Sequence, residues 1–275
     1  MQREMLPEEG ERIARARTAS GDDIGSFVYE ADETVVLALI ENPRFLEKHA
    51  CLILARMDVS AVVVAALAEA EKGKWLGCES IRLGLAQHPH TPKRIAMSAV
   101  RQLFLFDLVR VSLLPSAAPH VRRLAEEMML SRLPHLPIGE KLTLARRAPA
   151  RIAAAILAEG HPQAMKLALA NSLLSESQVL KVLAREGLCE RVILAIAKHP
   201  KWSYVYNVRV ALLRNPLSPA DCLEAFVSDL AMRDLVDISN LRETPSGTRA
   251  LIQRELARRE EQPHEGDKSK PLGTA

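Results

Sequence analysis

Residues Arg191–Phe226 read RVILAIAKHPKWSYVYNVRVALLRNPLSPADCLEAF. This stretch contains one short pattern twice: an apolar segment that ends in His-Pro (Ile193–Pro200) and an apolar segment that ends in Asn-Pro (Val208–Pro216). Apolar residues spaced three and four apart predict an amphipathic helix, and a residue before proline is disfavoured in the helical conformation. Each copy of the pattern therefore predicts a helix, a stop and the start of a new helix.

The same pattern occurs twice earlier in the chain, as VVLALIENP (Val35–Pro43) and as IRLGLAQHP (Ile81–Pro89). Polar residues precede the predicted helices, where a side-chain oxygen can accept a hydrogen bond from the first turn. The predicted N-caps are Asp32, Asp58, Ser80, Thr91, Ser218 and Thr244. Apolar spacing of three and four residues runs through nearly the whole chain, and no segment predicts a strand. The sequence therefore predicts an all-α fold.

The repeated pattern resembles the leucine-rich repeat variant family and bacterial HEAT-like or armadillo-like helical repeat proteins. The segments that carry the resemblance are Val35–Pro43, Ile81–Pro92, Val192–Pro200 and Val208–Pro219. It implies a right-handed α-solenoid of HEAT- or armadillo-like stacked helical hairpins, in which each hairpin covers the apolar face of its neighbour. The iron–sulfur module of some leucine-rich repeat variant proteins is not carried over, because no cysteine precedes Cys51.

Three regions are expected along the chain. Residues 1–31 are predicted to form a peripheral N-terminal helix and linker, and residues 32–260 the α-solenoid repeat domain. Prolines crowd the middle of this domain, and a bend is predicted near residues 131–137. Residues 261–275 lack apolar content and are predicted to be a disordered tail.

Composition limits the classes of function. The net charge of +3 is too small to indicate a nucleic-acid partner by itself. No apolar run is long enough for a transmembrane helix, and the charged N-terminus lacks the apolar region of a signal peptide, so no membrane insertion is expected. The four cysteines are Cys51, Cys78, Cys189 and Cys222. Their wide spacing favours buried free thiols in a reducing cytoplasm over disulfides or a zinc site.

No catalytic motif is present in the sequence. It has no glycine-rich phosphate loop, no G-x-S-x-G, no H-E-x-x-H and no acidic calcium loop. His88, His161 and His199 each precede proline at a predicted helix end, where a histidine interacts with the negative end of the helix. We therefore assign these histidines a structural role and expect no catalytic residue, no metal and no cofactor.

The sharpest local feature is an aromatic cluster followed by two arginines. The candidate binding residues are Trp202, Tyr204, Tyr206, Arg209 and Arg214. Aromatic rings beside arginine are typical of binding hot spots and of surfaces that stack on bases. The alternative is packing, in which the rings fill the core between repeats and their polar tips reach water.

Basic residues also recur along the chain. The predicted basic track comprises Arg94, Arg101, Arg122, Arg123, Arg146, Arg147 and Arg151, and Arg185 with Arg191 forms a further basic pair. On one shared face these residues would suit a phosphate backbone or an acidic partner. Acidic residues such as Glu140 and Glu186 are interleaved with them, so a solvated surface is the alternative.

Three hypotheses for the function follow from these observations. The leading hypothesis is a non-enzymatic protein-binding scaffold that uses the concave face of the repeat array. The alternative is a nucleic-acid-binding HEAT-like protein, related to DNA repair, that uses a basic inner groove. A modifying enzyme on the same fold is a third hypothesis, for which the sequence supplies no residues.

Overall fold

The computed structural model describes residues 7–69 and 77–261. These residues contain eighteen α-helices and no β-strand, which confirms the predicted all-α class. None of the helices in this part of the chain has both the length and the apolar character needed to cross a lipid bilayer. The predicted tail, 261–275, lies outside the described residues apart from Glu261.

The chain divides into two compact units, and the first, unit 1, extends to Leu136. Its nine described helices are α1 (Pro7–Thr18), α2 (Asp22–Phe27), α3 (Glu33–Ile40), α4 (Glu47–Ala55), α5 (Ala61–Glu69), α6 (Glu79–Gln87), α7 (Lys93–Arg101), α8 (Leu105–Leu113) and α9 (Pro119–Arg132). Helix α1 packs against α3, so the segment that the sequence placed at the periphery contributes to the core of this unit. Ala16 of α1 is fully buried there.

Unit 2 begins at Pro137, at the end of the segment in which the sequence predicts a bend. Its nine described helices are α10 (Ile138–Arg147), α11 (Ala150–Ala158), α12 (Pro162–Leu169), α13 (Glu176–Leu183), α14 (Glu190–Ala197), α15 (Tyr206–Arg214), α16 (Ala220–Asp229), α17 (Met232–Asn240) and α18 (Ser246–Glu261). The bend itself stays a prediction.

Helices of each unit contact their next neighbours along the chain. In unit 1 these contacts run from α1 to α3 to α5, from α4 to α6 to α8, and from α7 to α9. In unit 2 they run from α10 to α12 to α14, from α11 to α13 to α15 to α17, and from α16 to α18. Helices that touch both sequence neighbours and next neighbours are expected of stacked hairpins. The right-handed α-solenoid remains a prediction.

The two units have the same order of helices. The first and last residues of α12 are those of α3 with 129 added to the residue number. Those of α15 and α17 are the first and last residues of α6 and α8 with 127 added. The offset changes between Glu69 and Gly77, partly outside the described residues. We call positions related by 129 before this point, and by 127 after it, equivalent.

Equivalent residues also make the same hydrogen bonds. Asn42 donates to the carbonyls of Ala16 (2.9 Å) and Ala19 (3.0 Å), and Asn171 donates to those of Ala145 (2.9 Å) and Ala148 (3.0 Å). All four acceptors lie at the end of the first helix of a unit. A buried amide is costly unless its hydrogen bonds are made, so each asparagine ties its turn to that helix end.

A second pair of equivalent residues closes each unit. Arg132 donates to the carbonyls of Leu103 (2.9 Å) and Arg101 (3.3 Å), and Arg259 donates to those of Leu230 (2.7 Å) and Ser228 (2.6 Å). The guanidinium groups donate hydrogen bonds to carbonyls that have no intrahelical partner because they lie at a helix end. Shared helices and shared long-range bonds indicate that unit 1 and unit 2 are two copies of one fold.

The predicted N-caps are correct at Asp32 and wrong at most other positions. Asp32 accepts a hydrogen bond from the Thr34 backbone N–H at 2.9 Å. Ser218 and Thr244 instead donate to the carbonyls of Leu212 (2.6 Å) and Ile238 (2.5 Å), six residues earlier. These hydroxyls therefore satisfy the end of the preceding helix rather than the start of the next one.

The three remaining predicted caps are displaced by one or two residues. The N-cap of α6 is Cys78 and that of α7 is Pro92, so Ser80 lies inside its helix and Thr91 precedes its cap. At the start of α5, the Ser60 hydroxyl accepts from the Val63 backbone N–H at 3.3 Å. The Asp58 carboxylate is held instead by Arg56 at 2.7 Å, which is why it does not cap the helix.

Candidate functional site

Trp202, the first residue of the predicted aromatic cluster, belongs to the core of unit 2. Only 2% of its surface is exposed. Its indole N–H donates to the carbonyl of Leu169 at 3.0 Å, so the polar tip of the ring is satisfied inside the protein. A tryptophan placed in this way joins the turn before α15 to the end of α12.

Tyr204 and Arg209 form an exposed stack beside this core. Tyr204 is 75% exposed, and the Arg209 guanidinium lies 5.4 Å from the centre of its ring and 5.5 Å from that of Phe226. Arg209 also pairs with Asp229 at 2.6 Å and donates to the carbonyl of Ser203 at 2.5 Å. These contacts hold Arg209 in place, and the Tyr204 ring is the part of the stack that faces solvent.

Tyr206 links α15 to α17. Its hydroxyl donates to Asp234 and accepts from the Ala231 backbone N–H at 3.1 Å. The bond to Asp234 raises the pKa of the Tyr206 hydroxyl, because deprotonation would place two negative charges together. Neighbouring parts of unit 2 thus bind three of the predicted site residues, Trp202, Tyr206 and Arg209. Arg214 lies apart from them, in a groove between two helices.

Arg214 lines an open groove between α13 and α15. The groove has a volume of about 940 Å³. Leu180, Leu183, Val210 and Ala211 supply apolar surface along it. This volume is near the upper end of the range for small-molecule sites, which are typically concave and mostly apolar.

Four charged side chains line the same groove. Arg185 and Glu186 follow α13, Arg214 ends α15, and Glu243 follows α17. All four are exposed, and none of their side chains makes a hydrogen bond or an ion pair with the residues that the structure describes. The charges therefore gather at the carboxyl-terminal ends of these helices and are available to a ligand.

Unit 1 contains the equivalent groove, with a volume of only about 250 Å³. Its lining residues are Cys51, Leu54, Ala55, Ser80, Leu83, Gly84 and Gln87, and these are equivalent to Leu180, Leu183, Ala184, Asn207, Val210, Ala211 and Arg214. Both grooves share one cross-helix bond, from Ser80 to Glu47 in unit 1 and from Asn207 to Glu176 (2.6 Å) in unit 2. The pocket on this surface is therefore smaller in unit 1 than in unit 2.

His88 and Arg56 account for part of this difference. The His88 ring accepts from the His90 backbone N–H at 3.2 Å, which leaves its other nitrogen to donate to the carbonyl of Arg56 at 2.8 Å. This bond joins the end of α6 to the end of α4. Asn215 is equivalent to His88, and its side chain accepts only from Leu217 N–H, at 2.9 Å, within the described chain. Unit 2 therefore lacks this connection.

The Arg56 side chain is held away from solvent, unlike its equivalent Arg185. Arg56 donates to the carbonyls of Val28 (2.6 Å) and Glu30 (2.9 Å) and pairs with Asp58 at 2.7 Å. The residue equivalent to Asp58 is Gly187, which has a positive φ of 68° and no side chain. Without that carboxylate, Arg185 lacks the anchor that fixes Arg56, and its guanidinium lines the groove instead.

Gly84 accounts for a further part of the difference. A Cβ placed on Gly84 would lie 3.0 Å from Leu54 Cδ1 and 3.2 Å from Leu54 Cβ, so α4 and α6 approach closely because this residue has no side chain. The equivalent residue in unit 2 is Ala211, which carries that methyl group. Close-packed helices must separate to admit even one methyl group, so α13 and α15 need more room.

The seven residues of the predicted basic track fall in both units, four in unit 1 and three in unit 2. In unit 1, Arg94 and Arg101 lie on α7 and Arg122 and Arg123 on α9; Arg122 is half-buried and the others are exposed. Within the described chain, the buried Nε of Arg122 has no hydrogen-bond partner. The neighbouring α7 and α9 thus share the four arginines of this set.

In unit 2, Arg146 and Arg147 end α10 and Arg151 lies in the first turn of α11. All three are exposed. They lie on helices that contact each other, and none of them lines the groove of this unit. The structure therefore keeps these arginines apart from Arg214, the one predicted site residue that the groove contains.

The histidines and cysteines have structural environments. His161 caps the start of α12, and His199 accepts from the Lys201 backbone N–H at 3.1 Å, so both act as acceptors rather than as cations at a helix end. Burial lowers the pKa of His88 and His199. The prediction of buried thiols is wrong: Cys189, the N-cap of α14, is exposed, and Cys51, Cys78 and Cys222 are half-buried. Among the described residues, no three His, Cys, Asp or Glu side chains form a group that would hold a metal ion.

Comparison of the chain with protein-family models, curated proteins and solved structures finds no match. The groove is therefore interpreted from its own residues and from its equivalent in unit 1. The sequence alone places Arg185 in a basic pair with Arg191 and Glu186 among the interleaved acidic residues. The signal that identifies them is the alignment of the two units, since it shows where Asn215 and Gly187 replace His88 and Asp58.

Proposed function

We propose that this chain is a non-enzymatic protein-binding scaffold of the cytoplasm, and that the groove between α13 and α15 holds a segment of a partner protein. In this proposal the contacts between next-neighbour helices in each unit belong to an α-solenoid of HEAT- or armadillo-like hairpins. The resemblance to the leucine-rich repeat variant family supports the same kind of architecture. The observation that carries the proposal is the open groove with its unpaired charges.

The groove combines two properties that favour a protein partner. Leu180, Val210 and Ala211 are only partly buried, so a ligand would remove further apolar surface from water. Such burial contributes about 25 cal/mol for each Å² of apolar surface. Arg185 and Arg214 add hydrogen-bond donors without partners in the described chain, and arginine is enriched at the centres of protein interfaces.

The proposal is tested by selecting peptides against the full-length protein. A displayed library of random peptides, about two to three helical turns long, is enriched on the immobilised protein. Selected peptides are then labelled and titrated by fluorescence anisotropy. We expect Arg214→Glu to weaken their binding about tenfold or more, which corresponds to about 1.4 kcal/mol.

The matched control is Arg147→Glu, which makes the same charge change at the end of α10 in the same unit. This exposed arginine does not line the groove, so we expect less than about a twofold effect on binding. Equal losses for the two variants would indicate attraction by net charge alone. Equal losses, or a library that yields no binding peptide, would contradict the proposal.

Nucleic-acid binding is the second candidate, and the exposed cluster Arg146, Arg147 and Arg151 favours it. It predicts a gel shift of duplex DNA or single-stranded RNA that weakens steeply as salt is raised. It also predicts that Arg146→Glu with Arg147→Glu abolishes the shift while Arg214→Glu leaves it. The protein-binding proposal predicts no salt-dependent shift with the wild-type chain.

A further inference from the structure

We infer that the occupant of the unit 2 groove is an amphipathic α-helix with acidic residues at one end. This inference rests on the proposed function, because it specifies the chemistry of the protein segment that the groove would hold. The shape of the groove, the placement of its charges and the contrast with unit 1 support it.

The shape of the groove suits a short helix. Its walls are α13, which has eight residues, and α15, which has nine. Eight helical residues extend about 12 Å, so the walls offer room for about two turns of a helix laid along them. Leu180 and Leu183 on one wall and Val210 on the other are positioned to receive apolar side chains. Apolar residues spaced three and four apart on a bound helix would fill such a groove.

The basic groups lie at one end of these apolar walls. Arg185 follows the last turn of α13 and Arg214 is the last residue of α15, whereas Asn207 lies in the first turn of α15 and already donates to Glu176. Guanidinium groups bind carboxylates through paired, charge-assisted hydrogen bonds. An occupant with its acidic residues at the Arg185–Arg214 end would satisfy both arginines while its apolar residues cover the walls.

The carboxylates of Glu186 and Glu243 favour a helix over a continuous polyanion as the occupant of the groove. Both carboxylates line the same end of the groove and have no partner among the described residues. A nucleic-acid backbone carries negative charge along its whole length and would meet these carboxylates as well as the arginines. A helix carries acidic residues only at chosen positions, and neutral or basic residues can lie opposite the two glutamates. The mixed charges therefore favour a protein segment.

The contrast with unit 1 shows that the position of Arg185 is not imposed by the fold. Its equivalent Arg56 donates to the carbonyls of Val28 and Glu30, and the carbonyls at the equivalent positions in unit 2 are those of Leu157 and Glu159. Arg185 donates to neither of these carbonyls. Arginine at this position thus binds backbone carbonyls in unit 1, as Arg56, and lines an open groove in unit 2, as Arg185.

The test is a selection with two baits, the wild-type chain and the double variant Arg185→Glu/Arg214→Glu. A library of helix-forming peptides with equal numbers of acidic and basic residues is enriched on each bait. We expect acidic residues clustered at one end of the wild-type peptides and basic residues at the same positions in the variant peptides. Because both arginines are exposed, the variant should keep the helical circular dichroism of the wild type.

A steric variant separates this inference from the proposed function. Ala184→Trp places an indole in the groove, and Ala170→Trp makes the same change at the equivalent C-cap position of α12, outside the groove. One outcome would overturn the inference and leave the proposed function standing. In that outcome Ala184→Trp displaces the selected peptides and Ala170→Trp does not, but the peptides have no acidic end, or the double variant does not select basic residues at the same positions. Peptides that Ala184→Trp does not displace would overturn both.

Discussion

Asn42 and Asn171, 129 residues apart, make the same hydrogen bonds. Each donates to two carbonyls, and each accepts from the backbone N–H two residues later, that of Arg44 or Leu173, at 2.8 Å. Both side chains are buried. The turn after α3 and the turn after α12 are therefore held by one device, used once in each unit.

Asn42→Asp and Asn171→Asp should each lower the free energy of unfolding by about 3 kcal/mol or more at pH 7. A carboxylate accepts the N–H bond but cannot donate to the two carbonyls, so a buried charge would face two acceptors. Urea denaturation measures this loss. Asn215→Asp is the control, since Asn215 is half-buried and its side chain only accepts, from Leu217 N–H. Similar losses at all three positions would contradict the assigned roles.

The free energy of unfolding should depend on pH because His88 is neutral in the folded chain. Burial lowers the pKa of His88 from 6.5, so the folded chain binds fewer protons than the unfolded chain in the window below pH 6.5. Stability should therefore fall as the pH falls through this window. His88→Asn, which copies Asn215, should cost about 1 kcal/mol at pH 7 for the lost bond to Arg56, yet lose less on acidification.

The measurement for His88 is the free energy of unfolding from pH 7 to pH 5, compared as a difference between variant and wild type. The difference is needed because the pKa values of His49 and His199 are also lowered by burial. His135→Asn makes the same change at an exposed histidine and is the control. An unchanged slope in His88→Asn would show that His88 is not the titrating group.

Glu79, which lies beside Asp107, should produce the opposite pH dependence in unit 1. Partial desolvation and the neighbouring Asp107 carboxyl group raise the pKa of Glu79 above 4.5. The folded chain then binds more protons than the unfolded chain, so Glu79 contributes a loss of stability as the pH rises above 4.5. The equivalent pair in unit 2 is Tyr206 and Asp234, where a hydroxyl donates to the carboxylate.

Glu79→Gln should consequently raise the melting temperature at pH 7 more than at pH 4, because an amide can donate to Asp107 and carries no charge. Thermal unfolding followed by circular dichroism at the two pH values provides the comparison. Glu127→Gln removes one exposed carboxylate from α9 and serves as the control for net charge. If the control shows the same pH-dependent gain, the pairing of Glu79 with Asp107 is not its cause.

Gly84→Ala tests the close approach of α4 and α6. The added methyl group would lie 3.0 Å and 3.2 Å from two atoms of Leu54, and we expect a loss of about 1–3 kcal/mol in the free energy of unfolding. Gly139→Ala is the matched control inside α10, where nothing lies within 4 Å of the new Cβ. Alanine is the better helix former, so that variant should gain up to about 1 kcal/mol. A gain in both variants would contradict the packing described for unit 1.

The sequence predicts the helices well because their causes are local. Apolar spacing and the residue before proline located the ends of α3, α6 and α15, at Asn42-Pro43, His88-Pro89 and Asn215-Pro216. The sequence pattern does not identify Asn171 as the equivalent of Asn42, because serine rather than proline follows it. Its role depends on hydrogen bonds to Ala145 and Ala148, which only the folded unit brings within reach.

The groove was harder to predict because it depends on differences between equivalent residues. Nothing local to Asn215 or Gly187 indicates that a histidine and an aspartate close the same surface elsewhere. The change of offset from 129 to 127 between Glu69 and Gly77 further obscures the alignment of the two units. Trp202 illustrates the same limit, since its burial, with only 2% of its surface exposed, follows from the position of Leu169 rather than from the aromatic cluster itself.

The most direct test of the unit 2 groove as a binding site is photo-crosslinking with a selected peptide. A peptide that carries a photoreactive residue on its apolar face is irradiated with the full-length chain, and the labelled residues are identified by mass spectrometry. We predict labels within residues 180–186 and 207–216, on α13, α15 and the turns that follow them. Labels confined to other helices, or spread evenly over the chain, would contradict the assignment.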